Sequence, residues 1–199
     1  MNDEFENQLK EPAPKYNYIS PEEYLAMERE SEEKHEYYDG FVIAMSGVRL
    51  KHNQIETNLI AKLDKHLEKR GCQILPSNIR VSTPTRDSYM YPDATIVCGE
   101  PKLEDDKFDT LVNPLVIFEI WSPSTQHNDV GYKLFHYKNI PSLAEYIMID
   151  SSKRFVQTVR KERNGAWRFE DVTDPTSFFR IETIGFDFSI EDLYRNTSI

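Results

Sequence analysis

The amino-acid sequence predicts an α/β fold in which helices pack on a mixed β-sheet. Two short apolar runs, 115–121 and 145–150, are rich in β-branched and aromatic residues and are typical of buried strands. Between about 50 and 70, apolar residues recur at helical spacing, which indicates an amphipathic helix. Strands and helices therefore follow one another along the chain, as they do in proteins built from a sheet covered by helices.

Local signals place the first elements. Ser20, followed by Pro21 and Glu23, has the form of a capping box and predicts a helix start. Asp39-Gly40 lies between two strand-like segments and predicts a β-hairpin. The apolar stripe of the next helix comprises His52, Ile55, Leu59, Leu63 and Leu67, and Gly71 ends it.

The remainder is predicted to contain strands, one more helix and a hairpin. Strands are expected at about 73–81, 91–98, 115–121 and 145–150, and the charge-rich stretch 99–113 is expected to be an exposed connection. A helix is expected at about 128–139. Period-two alternation on both sides of Asn164-Gly165 predicts a C-terminal β-hairpin, and Ser189 is expected to cap a short last helix.

Composition describes an ordinary globular chain of 199 residues with a net charge of −10. Residues 1–40 contribute −8 of this charge. We therefore expect 1–15 to be a disordered acidic tail and 16–199 to form a single domain. The numbers of basic and acidic residues indicate no basic patch, which argues against tight non-specific DNA binding. The alternative is a local groove that is positive.

The expected location is the cytoplasm. No apolar run approaches the roughly 20 residues that span a bilayer, so no membrane association is expected. Cys72 and Cys98 are the only cysteines and lie far apart in the sequence, so we expect reduced thiols rather than a disulfide or a zinc site.

Two carboxylates occupy positions where the sequence predicts core. Glu119 lies in the apolar run 115–121, and Asp93 follows Pro92 at the start of another apolar stretch. An unpaired buried carboxylate costs several kcal/mol, roughly, so each needs a partner or a metal ion. Carboxylate oxygens suit Mg²⁺ or Mn²⁺, and together the two residues favour a metal site. The alternative is that each carboxylate caps a turn or pairs with an arginine.

A lysine follows on the next predicted helix. Asp129, Lys133 and Tyr137 are spaced four residues apart and are expected to line one helix face. Since this helix comes directly after the strand of Glu119, Lys133 could polarise a phosphate and orient an attacking water. The alternative is a surface pair between Asp129 and Lys133, and packing is the expected role of Tyr137.

Further residues are accessory candidates. His52 opens the apolar stripe of its helix, where a histidine is more often a satisfied core group than a ligand, by about two to one. Glu36 in the hairpin is either a third carboxylate near the metal or a solvated edge charge. Ser122 could hydrogen-bond a phosphate, whereas Ser124 and Thr125 are expected to shape the turn into the helix.

Taken in order, these motifs resemble the Uma-two family of putative restriction endonucleases, within the PD-(D/E)XK nuclease-like superfamily. The resemblance covers about 20–150 and is carried by Pro92-Asp93, the strand 116–121 and the segment 122–125. It extends to Glu36, Asp39-Gly40, Met45-Ser46, His52, Asp129, Lys133, Tyr137, Glu145-Tyr146 and Asp150.

The resemblance implies a restriction-endonuclease-like core and a Mg²⁺-dependent or Mn²⁺-dependent endonuclease acting on DNA. It implies that Asp93 and Glu119 bind the metal and that Lys133 assists the attacking water. The superfamily places its lysine two residues after the acidic residue, where this chain has Trp121, so Lys133 has to reach in from the helix. The alternatives are a nuclease-fold module that binds DNA or protein without cutting, and an interaction protein whose buried carboxylates are simply paired. A homodimer is possible, since nucleases that cut both strands often pair.

Overall fold

The computed structural model describes residues 18–45, 47, 49–122 and 128–199, with only the backbone of 128–130. The helices are α1 (Pro21–Glu30), α2 (Leu50–Leu67), a π-helix (Asn128–Lys133) that leads into α3 (Leu134–Tyr137), a 3₁₀ turn (Glu182–Ile184) and α4 (Ile190–Leu193). The strands are β1 (His35–Tyr38), β2 (Phe41–Ala44), β3 (Cys72–Pro76), β4 (Arg80–Ser82), β5 (Ser88–Met90), β6 (Ala94–Cys98), β7 (Thr110–Leu111), β8 (Val116–Trp121), β9 (Glu145–Asp150), β10 (Val156–Lys161), β11 (Trp167–Val172), β12 (Phe178–Ile181) and β13 (Phe186–Ser189).

A six-stranded mixed sheet in the order β11-β10-β9-β8-β6-β3 forms the centre of the protein. Its middle strands β8 and β9 are parallel, and each is buried along its whole length. Such burial on both faces explains why their sequences are almost continuously apolar. The parallel connection between them runs through the π-helix and α3, which brings this short helical segment onto one face of the sheet.

The other face of the central sheet is covered by α2 and by the C-terminal elements. The predicted stripe of α2 is confirmed, because Ile55, Leu59, Leu63 and Leu67 are all buried against the sheet. Residues of the β12–β13 hairpin and of α4 complete this apolar cluster. The cluster fixes α2, and with it His52, beside the ends of β6 and β8.

A five-stranded sheet in the order β2-β1-β5-β4-β7 packs against the α3 face of the central sheet. Tyr38, Val81 and Leu111 from this second sheet share an apolar cluster with Ile117 and Tyr137. The arrangement brings the β1–β2 hairpin over α3. Residues of β1 can therefore reach side chains that rise from β8.

The predicted local signals are confirmed at both ends of the chain. Ser20 and Glu23 form the capping box of α1, and Asp39-Gly40 joins β1 to β2 with Tyr38 opposite Phe41. Asn164-Gly165 lies in the turn between β10 and β11, and Ser189 accepts a hydrogen bond from the backbone of α4. The second hairpin, β12–β13, closes the C-terminal half.

Three predicted elements differ from the structure. The expected strand at 73–81 is divided between β3 and β4, which belong to different sheets, because the chain turns at 77–79. The expected connection 99–113 contains β7, whose two residues are buried beside β4. The expected helix at 128–139 begins as a π-helix around Gly131 and becomes α-helical only at Leu134.

The expectation of reduced thiols is wrong, because Cys72 and Cys98 form a disulfide. The two residues are 26 positions apart, but antiparallel pairing of β3 with β6 sets them directly opposite each other. Sequence distance was therefore a poor guide to their separation in space. The cytoplasmic location loses the support that it drew from free thiols.

In the described part of the chain, no helix has the length and apolar character needed to cross a membrane. The predicted acidic tail, 1–15, lies outside the described residues.

Candidate active site

Glu119 is a buried carboxylate on the central strand β8. Only 3% of its surface is exposed. Along β8 the side chains alternate, so that Phe118 and Ile120 join the α2 cluster while Ile117 and Trp121 join the cluster on the α3 face. Glu119 shares the α3 face with Ile117 and Trp121, in a position that an apolar side chain would otherwise fill.

Lys133 supplies the positive charge that faces Glu119. Its Nζ atom lies 3.2 Å from Oε1 and 3.3 Å from Oε2 of Glu119, and 2.9 Å from Oε1 of Glu36. Burial alone would lower the pKa of this ammonium, but the charges of Glu119 and Glu36 outweigh it and raise the pKa well above its ordinary value. Lys133 therefore stays protonated in the folded protein at neutral pH.

Tyr137 lies one α-helical turn beyond Lys133 and contacts the same carboxylate. Its hydroxyl donates a hydrogen bond of 3.0 Å to Oε1 of Glu119. Burial, followed by the charge of Glu119, raises the pKa of this phenol well above its ordinary value. The expected packing role is confirmed, since Tyr137 is fully buried, and the side chain also holds Glu119 in place.

Glu36 enters the site from the β1–β2 hairpin and is not a solvated edge charge. It is 7% exposed, and its Oε1 accepts a hydrogen bond of 3.1 Å from the backbone N–H of Tyr91. Its Oε2 accepts one of 2.8 Å from the hydroxyl of Tyr38. Two buried carboxylates thus share the one ammonium of Lys133, and these three described charges sum to −1.

Asp93 lies where the β6–β8 ladder ends. That ladder stops at Ala94 opposite Phe118, so Asp93 and Glu119 come from facing positions just beyond it. Oδ2 of Asp93 accepts a hydrogen bond of 2.6 Å from the backbone N–H of Ile120 and so replaces the missing ladder partner. The carboxylate is therefore fixed beside the strand position that follows Glu119.

His52 holds the second oxygen of Asp93. Its Nε2 atom lies 2.8 Å from Oδ1, and both side chains are mostly buried. The position of His52 at the start of the buried stripe of α2 explains how the ring reaches the end of β6. The structure therefore combines the two interpretations of His52, because the ring belongs to the helix stripe and also contacts a predicted site residue.

The remaining candidates are only partly described. Ser122 is partly buried directly after β8. The side chain of Asp129 lies outside the described residues, as do Ser124 and Thr125.

Glu56 lies near Asp93 but is not among the site residues predicted from the sequence. It is half-buried one helical turn after His52, and burial together with the charge of Asp93 raises the pKa of its carboxyl. The four-residue spacing from His52 could have indicated it, because residues i and i+4 share a helix face. Without a known direction for that face, however, a glutamate on a polar helix side carries little information.

The donor chemistry of Asp93 and Glu119 fits a hard divalent cation. Both offer carboxylate oxygens, which Mg²⁺ and Mn²⁺ prefer. Among the described residues, no group of three or more His, Cys, Asp or Glu side chains is arranged to hold a metal ion. Mg²⁺ commonly takes only one or two protein carboxylates and keeps several waters, so this arrangement is compatible with a magnesium site.

The fold is similar to that of a solved nuclease-like structure. A solved structure titled "a putative nuclease belonging to DUF820", from Anabaena variabilis ATCC 29413, is similar with a TM-score of 0.74 at 19% sequence identity. The similarity covers 88% of this chain and 97% of that chain. It supports the restriction-endonuclease-like architecture that the sequence motifs imply.

The chain belongs to the Uma2 (Uma-two) family, whose description is "Putative restriction endonuclease" and whose pattern matches residues 21–191. Two uncharacterized proteins of Synechocystis sp. are related along most of their lengths. The protein slr1290 is 29% identical over 184 residues, which cover 92% of this chain and 95% of the relative. The protein sll1609 is 32% identical over 149 residues, which cover 75% of this chain and 84% of the relative.

Proposed function

We propose that this protein is a Mg²⁺-dependent or Mn²⁺-dependent endonuclease that hydrolyses phosphodiester bonds in DNA. Asp93 and Glu119 hold the metal ion, and Lys133 stabilises negative charge at the reacting phosphate. Membership of the Uma2 family and the nuclease-like fold support the reaction class. The contact of Lys133 with Glu119 is the observation that carries the assignment of residues.

The contact between Lys133 and Glu119 supports a site in which the lysine does not lie on the strand of the acidic residue. In the PD-(D/E)XK arrangement a lysine follows the acidic residue by two positions on the same strand, where this chain has Trp121. Trp121 is buried against Phe155 and belongs to the core. Lys133 reaches the carboxylate of Glu119 from the π-helix instead, which supports its role as the displaced lysine of the site.

Each residue contributes a defined chemical property. A bound divalent cation would supply a water of lowered pKa and a Lewis acid for the phosphate oxygens. Lys133 remains protonated, so its ammonium can stabilise the charge that develops on phosphate. Tyr137 and Glu36 orient Glu119 and Lys133, and His52 orients Asp93 through its hydrogen bond.

A metal titration and a cleavage assay test the proposal. Calorimetry with Mn²⁺ should show binding to the wild type and none to Asp93→Asn or Glu119→Gln, which preserve side-chain shape. DNA cleavage should require the divalent metal and disappear in both variants, and Lys133→Met should reduce it about 100-fold or more. Asp192→Asn, which alters an exposed carboxylate on α4, is the matched control. Unchanged cleavage in both carboxylate variants would refute the proposal.

The second candidate is a nuclease-fold module that binds DNA or protein without cutting. This alternative is favoured by the contacts of Lys133 with both carboxylate oxygens of Glu119 and with one of Glu36, because a metal ion would have to share these oxygens with the ammonium. A module of this kind would show salt-dependent DNA affinity but no metal-stimulated cleavage on any substrate. The same two assays therefore separate the candidates.

Two further properties are part of the proposal. A homodimer would allow both DNA strands to be cut, and analytical ultracentrifugation would show it as a species of twice the monomer mass of 23.4 kDa. Cytoplasmic location stays a prediction, and fractionation of cells that express the chain would test it.

A further inference from the structure

Two aromatic side chains stand on the edge strand β11 at one end of the central sheet. Trp167 and Phe169 are two residues apart, so they lie on the same face of the strand. Trp167 is partly exposed, and 48% of Phe169 is exposed. Exposed apolar side chains that lie next to each other, rather than singly, are a feature of interaction sites.

Lysines lie over these rings. Nζ of Lys138 is 5.0 Å from the ring centre of Phe169 and 5.8 Å from that of Trp167. Nζ of Lys161 is 5.9 Å from the ring centre of Trp167. We call these four residues the aromatic–lysine face. A further lysine–ring pair, Lys153 over Phe155 at 5.1 Å, extends the same pattern toward β8, where Phe155 contacts Trp121.

The aromatic–lysine face and Glu119 lie on the same side of the central sheet. Phe169 is paired with Val159 on β10, and Val159 is paired with Tyr146 on β9. Tyr146 is in turn paired with Ile117 on β8. Ile117 is two residues before Glu119 on β8 and therefore points the same way. The face is three strands away from β8, which is about 14 Å at a strand spacing of about 4.8 Å.

The local charge differs from that of the whole chain. The protein carries a net charge of −10, but the charged members of the aromatic–lysine face are both lysines. The neighbouring carboxylate on this side of β11, Asp171, accepts a hydrogen bond of 2.6 Å from Gln157. Arg168 and Glu170 alternate to the opposite side of the strand. The composition indicates no basic patch, and the two lysines of this face are the local positive charge that a count over the whole chain does not resolve.

We propose that the aromatic–lysine face binds unpaired bases of single-stranded DNA, with the rings stacking on bases and the lysines contacting phosphates. An aromatic ring can stack on the π-face of any base, and the lysine beside it can contact the negatively charged phosphate of the same nucleotide. The proposal rests on the proposed nuclease function for its choice of DNA.

Binding is measured in EDTA, so the result does not depend on the metal site or on cleavage. The ligand is a fluorescein-labelled oligothymidine, and the readout is fluorescence anisotropy at several salt concentrations. Phe169→Ala should weaken binding about fivefold or more, because base–aromatic stacking contributes about 1–3 kcal/mol per base. Lys138→Gln should reduce the salt-dependence slope by about 0.7, the value for one phosphate contact on a single strand.

Phe178→Ala is the matched control, because this phenylalanine is 61% exposed on β12, outside the aromatic–lysine face. The affinity of Phe178→Ala for oligothymidine should stay within about twofold of that of the wild type. Intrinsic fluorescence adds a second readout: oligothymidine should quench Trp167, and Trp167→Phe should abolish the quenching because Trp121 is buried. The same sequence in a fully paired duplex should bind more weakly, since its bases are not free to stack.

Three results would overturn the proposal. The first is equal affinity for duplex and single strand, and the second is equal weakening by Phe169→Ala and Phe178→Ala. The third is quenching that persists in Trp167→Phe. Concentration-dependent self-association that is lost in Phe169→Ala, without any oligonucleotide binding, would assign the face to a second copy of the chain instead.

Discussion

The ammonium of Lys133 contacts both carboxylate oxygens of Glu119, at 3.2 Å and 3.3 Å, across 14 positions of sequence. Both side chains are almost completely removed from solvent, and Glu36 completes the cluster. Ion pairs buried in this way stabilise a fold weakly as pairs, but each partner becomes strongly destabilising once the other is removed. The relationship makes the site sensitive to single substitutions.

The first prediction concerns stability. Lys133→Met keeps most of the side-chain volume but leaves two buried carboxylates without their shared cation. The free energy of unfolding should fall by about 3–5 kcal/mol, measured by urea denaturation at neutral pH. Lys62→Met removes an exposed pair with Asp192 and should change it by about 0–1 kcal/mol. Equal losses in the two variants would contradict the buried-pair interpretation.

The second prediction concerns alkaline pH. The pKa of Tyr137 is raised in the folded protein, so above about pH 10, the ordinary tyrosine value, the unfolded chain releases a proton that the folded chain keeps. The free energy of unfolding of the wild type should therefore decrease as the pH rises, by up to about 1.4 kcal/mol per pH unit from this group. Lys133, whose pKa is also raised, contributes with the same sign.

Tyr137→Phe should lose less stability than wild type between pH 9 and pH 11, roughly, because the titrating phenol is absent. Urea denaturation at a series of pH values measures the difference. Tyr18→Phe removes a phenol that is 70% exposed and serves as the control. A pH dependence of Tyr137→Phe that matches the wild type would show that this phenol is not the group responsible.

The third prediction concerns the disulfide. Cys72–Cys98 closes a loop of 26 residues, so the double variant Cys72→Ser/Cys98→Ser should be less stable by about 3 kcal/mol. Alkylation followed by mass spectrometry should find no free thiol before reduction and two after it. Two alkylated thiols in the unreduced, unfolded protein would contradict the pairing.

The disulfide illustrates why some of the structure could not be predicted. Strands are recognised in the sequence by composition. The predicted strands at about 115–121 and 145–150 were correct because buried parallel strands are continuously apolar. Composition does not say which strands pair, however. The partnership of β3 with β6, and hence the proximity of Cys72 and Cys98, follows from long-range register alone.

The candidate site could likewise be predicted only in part, because sequence order connects neighbouring elements but does not reveal which distant elements pack together. Lys133 could be connected with Glu119 because its helix follows that strand directly. Glu36 could only be suggested, because its contact with Lys133 requires the β1–β2 hairpin to pack over α3 across 97 positions. The start of the helix as a π-helix also escaped prediction, since no simple residue pattern distinguishes it from an α-helix.

The fourth prediction concerns metal affinity. His52 contacts Oδ1 of Asp93 at 2.8 Å and so fixes the orientation of a proposed metal ligand. Partners of this kind typically contribute about 10–100-fold to metal affinity, so His52→Ala should weaken Mn²⁺ binding by that factor in calorimetry. His66→Ala changes a histidine on the same helix that contacts Ile184 and Phe186 instead, and it should leave Mn²⁺ affinity unchanged. Circular dichroism of both variants verifies that α2 remains folded. If His52→Ala binds Mn²⁺ as tightly as wild type while Asp93→Asn does not, Asp93 acts without the orienting histidine.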